Sequence, residues 1–211
     1  MEIIFNNEQI VLSPHRAAFW PRKKILFLAD MHLGKTSYFR SKGIQIPSSV
    51  MSDDLARLTF LIDKYKAESI VVAGDMFHHN YNSDINIFKQ WRETKTDVRF
   101  VLVPGNHDKL LGIDYDNLGI MVTEEEYILD PFTIIHQPPK SVEQFSISGH
   151  IHPGYLMEGR ARQSLRLPCF IINERQMILP AFSGFTGLYT KFQTSGPCVN
   201  YVIGRDTIFK I

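Results

Sequence analysis

Seven of the eight histidines in this chain stand in short polar motifs that also hold aspartate, asparagine or glycine. The clearest motif is residues 100–108, in which an apolar, β-branched run ends at Pro104-Gly105 and is followed by Asn106, His107 and Asp108. An amide, an imidazole and a carboxylate on a tight turn suit a metal site or proton transfer better than packing. A polar turn with a capping Asn or Asp is the alternative for this motif alone.

The same residue types recur at the ends of other apolar runs. In open α/β sheets, ligands bind beyond the carboxyl ends of the strands, so residues at several strand ends can form one site. A donor set of His, Asp and Asn without Cys suits Mn²⁺, Fe or Zn²⁺. Two ions about 3.5–4 Å apart can share one carboxylate. Five strand ends carry such groups: Asp30 with His32, Asp75, Asn106 with His107, His136, and His150 with His152.

The first half of the chain alternates predicted strands and helices. A hairpin with Asn6-Asn7 at its turn and a strand at 17–20 come first, and strands at 24–29, 69–73 and 97–103 follow. The apolar residues of 51–65 recur at spacings of four and three, which predicts an amphipathic helix capped by Ser48 or Ser49. A second helix is predicted from Ser83 to about Arg92. This βαβ pattern implies parallel strands.

The second half has short strands and little helix. The predicted strands are 121–123, 127–129, 132–135, 146–148, 169–172, 176–179, 199–203 and 207–211. No internal repeat, low-complexity segment or linker is visible in the sequence. We therefore predict a single domain, residues 1–211, with two packed sheets.

Composition bears on the partners and the cellular compartment of the protein. Its 211 residues carry a formal net charge of +1, so charge alone gives no reason to expect a nucleic-acid or membrane-surface protein. Cys169 and Cys198 match no metal or redox spacing. The sequence shows neither a secretion signal nor an apolar run near the roughly 18 residues of a membrane span. A cytoplasmic protein with reduced cysteines and no membrane partner is expected.

Taken together and in this order, the five motifs resemble those of the calcineurin-like metallophosphoesterases. The resemblance runs from Asp30 to His152 and extends into the flanking strands. It implies an α/β fold, a four-layer α/β/β/α sandwich whose two mixed β-sheets are flanked by helices. It also implies two divalent metal ions per chain, manganese first and iron or zinc as alternatives, and phosphodiester hydrolysis by a hydroxide shared between the ions.

The resemblance also implies a role for each site residue. Asp75 would bridge the ions, and His107 would protonate the leaving oxygen or steady the phosphoryl group, with Asp108 orienting the His107 ring. The remaining metal ligands would divide into two sets: Asp30, His32 and His152 for the first ion, and Asn106, His136 and His150 for the second.

A narrower resemblance rests on residues 29–35, 39–47 and 159–170. These stretches are similar to a bacterial subfamily, the phosphoesterases of the ligase-associated DNA-damage-response gene set. That likeness implies a DNA endonuclease or DNA-end processing enzyme that works with a repair ligase or helicase.

Two other functions stay open at this point. One is a small-molecule phosphodiesterase acting on cyclic nucleotides or nucleotide pyrophosphates, and the other is a non-catalytic scaffold of the same fold. Intact ligand positions and His107 disfavour the scaffold. Several side chains are candidates for binding substrate phosphates, with solvated surface or internal ion pairs as the alternative for each: Lys35, Arg40, His78, Arg160 and Arg162.

Overall fold

The computed structural model describes residues 1–47, 49–78, 83–108, 112–140, 143–160, 163–192, 194 and 196–211. These residues contain three α-helices, α1 (Lys35–Ser41), α2 (Ser49–Tyr65) and α3 (Ser83–Glu93). The predicted helices α2 and α3 are confirmed, and of the two capping candidates for α2, Ser48 lies outside the described residues.

The first sheet contains the strands of the first half of the chain in sequential order. Its strands are β1 (Glu2–Phe5), β2 (Glu8–Ser13), β3 (Ala17–Trp20), β4 (Ile25–Leu28), β5 (Ser69–Ala73), β6 (Arg99–Val103) and β7 (Ile120–Val122). Neighbouring strands from β1 to β4 pair antiparallel. Neighbouring strands from β4 to β7 pair parallel, as the βαβ pattern predicts. The β1–β2 turn places Asn6 and Asn7 at φ of 49° and 60°, the left-handed values that a tight hairpin requires.

The second sheet is built from the second half of the chain. It has the order β15-β14-β12-β13-β10-β9-β8, with β11 paired to β12. The neighbours β9, β10 and β13 are parallel, and the other pairs are antiparallel. Its strands are β8 (Glu126–Leu129), β9 (Phe132–Ile135), β10 (Phe145–Ser148), β11 (Gly154–Glu158), β12 (Ser164–Ile172), β13 (Gln176–Ile178), β14 (Val199–Ile203) and β15 (Ile208–Lys210).

Alternating side chains of the first sheet pack into two separate cores. Phe27, Val71 and Val101 face the second sheet and pack in one cluster with residues such as Phe132 and Ile147. The intervening strand residues face α2 and α3 in another cluster, with members Leu26, Leu28, Ile70, Val72, Leu58, Ile62 and Phe88. The predicted α/β sandwich with two mixed sheets is therefore confirmed.

The outer face of the second sheet carries a small third cluster. Cys169, Ile171, Ile178 and Val202 are buried there, and Tyr155 and Phe192 are among the residues that pack against them. Within the described residues, Tyr155 of β11 and Phe192 contact this face where the four-layer description has a helix.

One hairpin departs from the sequence prediction. β12 begins at Ser164, five residues earlier than predicted, and pairs with β11, which the sequence analysis missed. Residues 154–158 lack the β-branched content that indicates a strand, so cross-strand pairing rather than local propensity forms β11.

Candidate metal centre

The predicted ligands meet at one end of the sandwich. Asp30, Asp75 and Asn106 follow the carboxyl ends of β4, β5 and β6, and His136 and His150 follow β9 and β10. Backbone hydrogen bonds tie the first two loops together, since the N–H of Asp30 donates to Gly74 and the N–H of His32 donates to Asp75. Five separate strand ends therefore bring their polar side chains to one place.

Asp30, His32 and His152 form the first group of metal-binding donors. Their donor atoms all lie within 4.8 Å of one another. The Nε2 atoms of His32 and His152 are 3.1 Å apart, and the Nε2 of His152 lies 3.4 Å from Oδ1 of Asp30. This is the grouping that the resemblance implies for the first ion.

Asp75, His136 and His150 form the second group, again within 4.8 Å. The Nε2 of His136 lies 3.5 Å from Oδ1 of Asp75 and 3.0 Å from both Nδ1 of His150 and Oδ1 of Asn106. The structure thus brings Asn106 to the second group. The side chain of Asp75 belongs to this group by distance, and its bridging role stays a prediction.

The backbone fixes which nitrogen of His136 can bind a metal. Its Nδ1 lies 3.0 Å from the carbonyl oxygen of Ala73. A carbonyl oxygen only accepts hydrogen bonds, so Nδ1 carries the proton and Nε2 keeps its lone pair for the ion. Such a hydrogen bond on the far ring nitrogen is typical of histidine ligands.

The backbone at the ligands is strained. Five predicted ligands have φ in the left-handed region that favours glycine: Asp30 at 53°, His32 at 46°, Asp75 at 51°, His150 at 69° and His152 at 50°. Such conformations cost of order 1–3 kcal/mol each and occur mainly at functional sites. The fold therefore holds these side chains in directions that an unstrained backbone would not give them.

Glycines leave the room that the ligands need. A Cβ on Gly105 would lie 2.2 Å from Oδ1 of Asp75, and one on Gly149 would lie 2.7 Å from Oδ2 of Asp30. A Cβ on Gly74 would lie 2.0 Å from Nδ1 of His136. The sequence pattern assigns Gly105 only to a turn and gives Gly74 and Gly149 no role, although each of the three immediately precedes a residue of a polar motif.

Burial favours the neutral form of two site imidazoles, those of His32 and His150. It lowers the pKa of His32 from 6.5 to about 2, with the nearby charge of Lys35 and the neighbouring imidazoles acting in the same direction. Burial also lowers the pKa of His150, helped by His136 and opposed by Asp30 and Asp75. A neutral imidazole is the form that binds a metal ion.

These residues fit divalent metal ions. Asp30 is fully buried, and among the described residues its Oδ1 has no hydrogen-bond partner. An unpaired buried carboxylate oxygen is costly unless a cation compensates it. The donors are imidazole nitrogens and carboxylate and amide oxygens, the set that suits Mn²⁺, Fe or Zn²⁺. Both groups can therefore hold such an ion.

A further group of three imidazoles adjoins the first metal group. His32, His78 and His107 have ring nitrogens within 4.8 Å of one another, and the His78 and His107 rings are 4.7 Å apart. The side chain of His107 is 38% exposed, and its Nε2 lies 4.0 Å from Oδ2 of Asp75. His107 is thus beside the metal groups and open to solvent, as a proton donor to substrate must be.

The expected orientation of His107 by Asp108 is not seen. The Asp108 carboxylate is buried and accepts hydrogen bonds from the backbone N–H groups of Met76, Phe77 and Gly105. No contact with the His107 ring occurs among its hydrogen bonds in the described residues. Asp108 therefore ties the loop after β5 to the loop after β6, and acts on His107 only by holding the backbone.

The candidate phosphate-binding residues differ in their surroundings. Lys35, at the start of α1, is half-buried, and burial lowers its pKa against the opposing effect of Asp30 and Asp75. Arg40 is engaged internally: its guanidinium donates to Ser37 and to the carbonyl of Pro47 and lies 3.8 Å from Asp84. The ion-pair alternative therefore fits Arg40 better than substrate binding.

The two remaining arginines lie on the β11–β12 hairpin. Arg160 is exposed at its tip, beyond the paired residues of the two strands. Arg162 lies outside the described residues.

The segment 181–184, which the sequence did not indicate, holds the backbone next to the first donor group by hydrogen bonds. The N–H of Phe182 donates to Ala29, and the N–H of Ser183 donates to Asp30. Asp54 of α2 accepts from Gly184 and pairs with Arg57 at 2.8 Å. No sequence motif links α2 to this segment, because the contact depends on the tertiary fold.

An open cavity of about 1060 Å³ adjoins the second group. Asn106 and His136 form part of its wall, and Ile128 and Ile135 give it apolar surface. Three consecutive glutamates, Glu124 to Glu126, line the other side. The cleft beside the second group is therefore acidic.

Comparison with known proteins identifies the family of the chain. Residues 23–136, more than half of the chain, match the family model described as calcineurin-like phosphoesterase. The chain belongs to the calcineurin-like phosphoesterase family. It is therefore a metal-dependent phosphoesterase, a hydrolase. The family prediction made from the sequence is confirmed.

Solved structures extend the comparison over the whole chain. The Pseudomonas putida nuclease MPE is 29% identical, with a TM-score of 0.84 and 99% of each chain covered. The E. coli phosphoesterase Yfce is 14% identical, with a TM-score of 0.44 over 89% of this chain and 97% of that chain. No curated protein matches the chain by sequence. No helix in the described part of the chain has the length and apolar character needed to span a membrane.

Proposed function

We propose that this phosphoesterase is a nuclease that holds two divalent ions, manganese first, and cleaves phosphodiester bonds in DNA. The observation that carries the proposal is the pair of adjacent donor groups, Asp30-His32-His152 and Asp75-His136-His150 with Asn106. The similarity to a nuclease over 99% of both chains supports DNA as the substrate and supports residues 1–211 as one domain.

The protein's own residues supply positioning and a proton. Two bound ions would acidify a water molecule and offset the charge of the phosphoryl oxygens. His107, half-exposed beside Asp75, donates a proton to the leaving oxygen. Lys35 and His78 contact the phosphoryl oxygens from the side of the first group, where His78 lies against His32 and His107. Arg40 has no part in this proposal.

The small-molecule alternative rests on the cavity. A volume of about 1060 Å³ beside Asn106 and His136 can accommodate a nucleotide. The glutamates on its wall, however, repel nucleotide pyrophosphates, which carry several negative charges. The cavity therefore favours this function by size and opposes it by charge.

The proposal includes a cellular role and partner proteins. A DNA nuclease that resembles the ligase-associated subfamily is expected to act in bacterial DNA repair, in the cytoplasm, beside a ligase or helicase. Copurification of a tagged chain with such a ligase or helicase, lost when cell extracts are treated with a nuclease, would show that DNA itself joins the partners.

The deciding experiment is a metal-reconstituted screen. It sets bis-p-nitrophenyl phosphate, p-nitrophenyl phosphate, cyclic nucleotides, and single- and double-stranded DNA side by side, with Asp75→Asn as the inactive control. Cleavage of DNA by the wild type and not by Asp75→Asn is expected. Hydrolysis of cyclic nucleotides without cleavage of DNA would replace the nuclease with the small-molecule phosphodiesterase.

A further inference from the structure

The hairpin formed by β11 and the first part of β12 projects beyond the sheet at the end where the ligands lie. We call the described residues 154–160 and 163–168 the arm. β13 runs parallel to β10, whose carboxyl end leads to His150 and His152, and β12 runs antiparallel to β13. The amino-terminal part of β12 therefore points past the metal centre. The N–H of Cys169 donates to Pro153, the residue directly after His152, and marks the root of the arm.

The arm is long enough to reach beyond a single phosphodiester. Five residue pairs, from Gly154 with Pro168 to Glu158 with Ser164, hold its two strands together. At about 3.4 Å per residue, these pairs extend roughly 15 Å from the root. Phosphates on one strand of B-DNA are about 3.4 Å apart along the axis, so the arm can run beside about four of them.

One face of the arm is an apolar stripe. The pairs Tyr155 with Leu167 and Met157 with Leu165 share this face because side chains alternate along both strands. Tyr155 and Leu167 pack against the third cluster at the root. Met157 and Leu165 continue the stripe outward and are 41% and 57% exposed.

Charge favours a polyanion on this side of the centre. The arm contains Arg160 and Arg166 against the single acid Glu158. Arg160 and Arg166 are exposed and have no ion pair within the described part of the chain. The opposite side of the centre carries the glutamates of the large cavity. A nucleic-acid strand that leaves the ligands is thus attracted to the arm and repelled from the cavity.

Tyr189 places an exposed aromatic ring at the root. Its N–H donates to the carbonyl of His152, and its carbonyl accepts from Gly154, so the residue is fixed beside a metal ligand. Its side chain is 52% exposed and lines a cavity of about 240 Å³ together with Tyr155 and Phe192. Base–aromatic stacking of this kind tolerates any base sequence.

We propose that the arm and Tyr189 form an extended binding surface for a nucleic-acid strand outside the scissile phosphate. Tyr189 stacks against a base next to the metal centre, and Arg166 and Arg160 contact phosphates farther along. This inference rests on the proposed nuclease function and adds the surface that separates a polynucleotide from a small phosphodiester.

The test compares substrates that can and cannot reach the arm. The metal-loaded enzyme is assayed on bis-p-nitrophenyl phosphate, on a thymidine dinucleotide, and on a single-stranded oligonucleotide of about 16 nucleotides, the upper site size of one small binding fold. The variants are Arg160→Gln with Arg166→Gln, and Tyr189→Ala with Tyr189→Phe for comparison. The matched control is Lys23→Gln with Lys66→Gln, two exposed charges at the amino ends of β4 and β5, away from the centre.

We expect the arm and Tyr189 variants to change KM for the oligonucleotide. The arginine variant should reduce the slope of log KM against log salt by about 1.4, since each phosphate contact on a single strand contributes about 0.7. Tyr189→Ala should raise KM about tenfold, within the range for loss of one base–aromatic stack, while Tyr189→Phe stays near the wild type. The rate on bis-p-nitrophenyl phosphate should be unchanged in every variant, the dinucleotide rate should be unchanged in the arginine variant, and the lysine control should match the wild type on all three substrates.

Four results would overturn the inference. Equal losses on all three substrates would show that the variants damage the fold or the centre. An unchanged KM for the oligonucleotide, with DNA cleavage intact, would refute the binding role of the arm, while the proposed nuclease function would stand. A change of oligomeric state by light scattering without a change in KM would make the arm a contact between copies of this chain. A wild type that hydrolyses only bis-p-nitrophenyl phosphate would overturn the nuclease function itself and the inference with it.

Discussion

The substitution Gly105→Ala changes the position of Asp75 without changing any predicted ligand. A Cβ at Gly105 would lie 2.2 Å from Oδ1 and 2.5 Å from the backbone nitrogen of Asp75, whereas ordinary contact begins at 3.4 Å. The carboxylate must therefore move by about 1 Å. The same oxygen accepts the N–H of His107 at 3.0 Å, so the movement also disturbs the loop that carries the predicted proton donor.

The displacement sets the expected size of the effect. A misplacement of about 1 Å at a reacting centre can cost about 10²-fold in rate. We therefore expect kcat/KM on bis-p-nitrophenyl phosphate to fall about 100-fold. Metal content, measured by elemental analysis after reconstitution, should fall as well, because Asp75 belongs to the second donor group.

The control separates a local effect from damage to the fold. Gly187→Ala adds the same methyl group where nothing lies within 4 Å, and it should leave rate and metal content unchanged. If Gly105→Ala kept its metal and the wild-type rate, the reasoning that a narrow space fixes Asp75 would be refuted. Thermal unfolding of both variants shows whether either protein is folded.

The other predictions use the same assays. Asp75→Asn should lose activity and bind fewer than two ions per chain, and full metal content with normal turnover would remove Asp75 as the bridge. His107→Ala should keep its metal and lose about 10²–10⁴-fold in rate on a poor leaving group, with a smaller loss for p-nitrophenolate, and loss of metal would make His107 a ligand. Arg57→Ala should cost about 3 kcal/mol in thermal or chemical unfolding, since it removes the cation that pairs with the buried carboxylate of Asp54, and a wild-type stability would contradict that role. The pKa of His32 is near 6.5 when unfolded and about 2 when folded, so the metal-free protein should lose stability as pH falls below about 6.5, and His32→Asn should flatten that dependence of the melting temperature.

Local patterns predicted most of the fold. The Asn6-Asn7 turn requires two left-handed residues, which asparagine tolerates, and the apolar spacing of α2 matches its buried face. β11 could not be predicted in this way, because Leu156 and Met157 are exposed and pair only with the other strand of the arm. Residues 154–158 form a strand because they pair with β12, and their own sequence does not indicate one.

The site was predictable as a set of residues and less so as a geometry. Parallel strands bring their carboxyl ends together, so polar groups after β4, β5 and β6 had to converge. The contacts of Asp108 with the backbone and the internal pairing of Arg40 depend on loops that meet only in the folded chain. Gly105 could have been found earlier, since a glycine directly before a candidate ligand suggests a close approach.

The left-handed backbone at five ligands has a consequence for engineering this protein. Glycine adopts that conformation at no steric cost, so Asp30→Gly or His152→Gly should relieve strain in the metal-free chain. A laboratory selection for heat resistance alone, run without metal, would therefore favour loss of these side chains and would erase the catalytic centre while improving the scaffold. Selection of a thermostable variant must keep a requirement for turnover in every round.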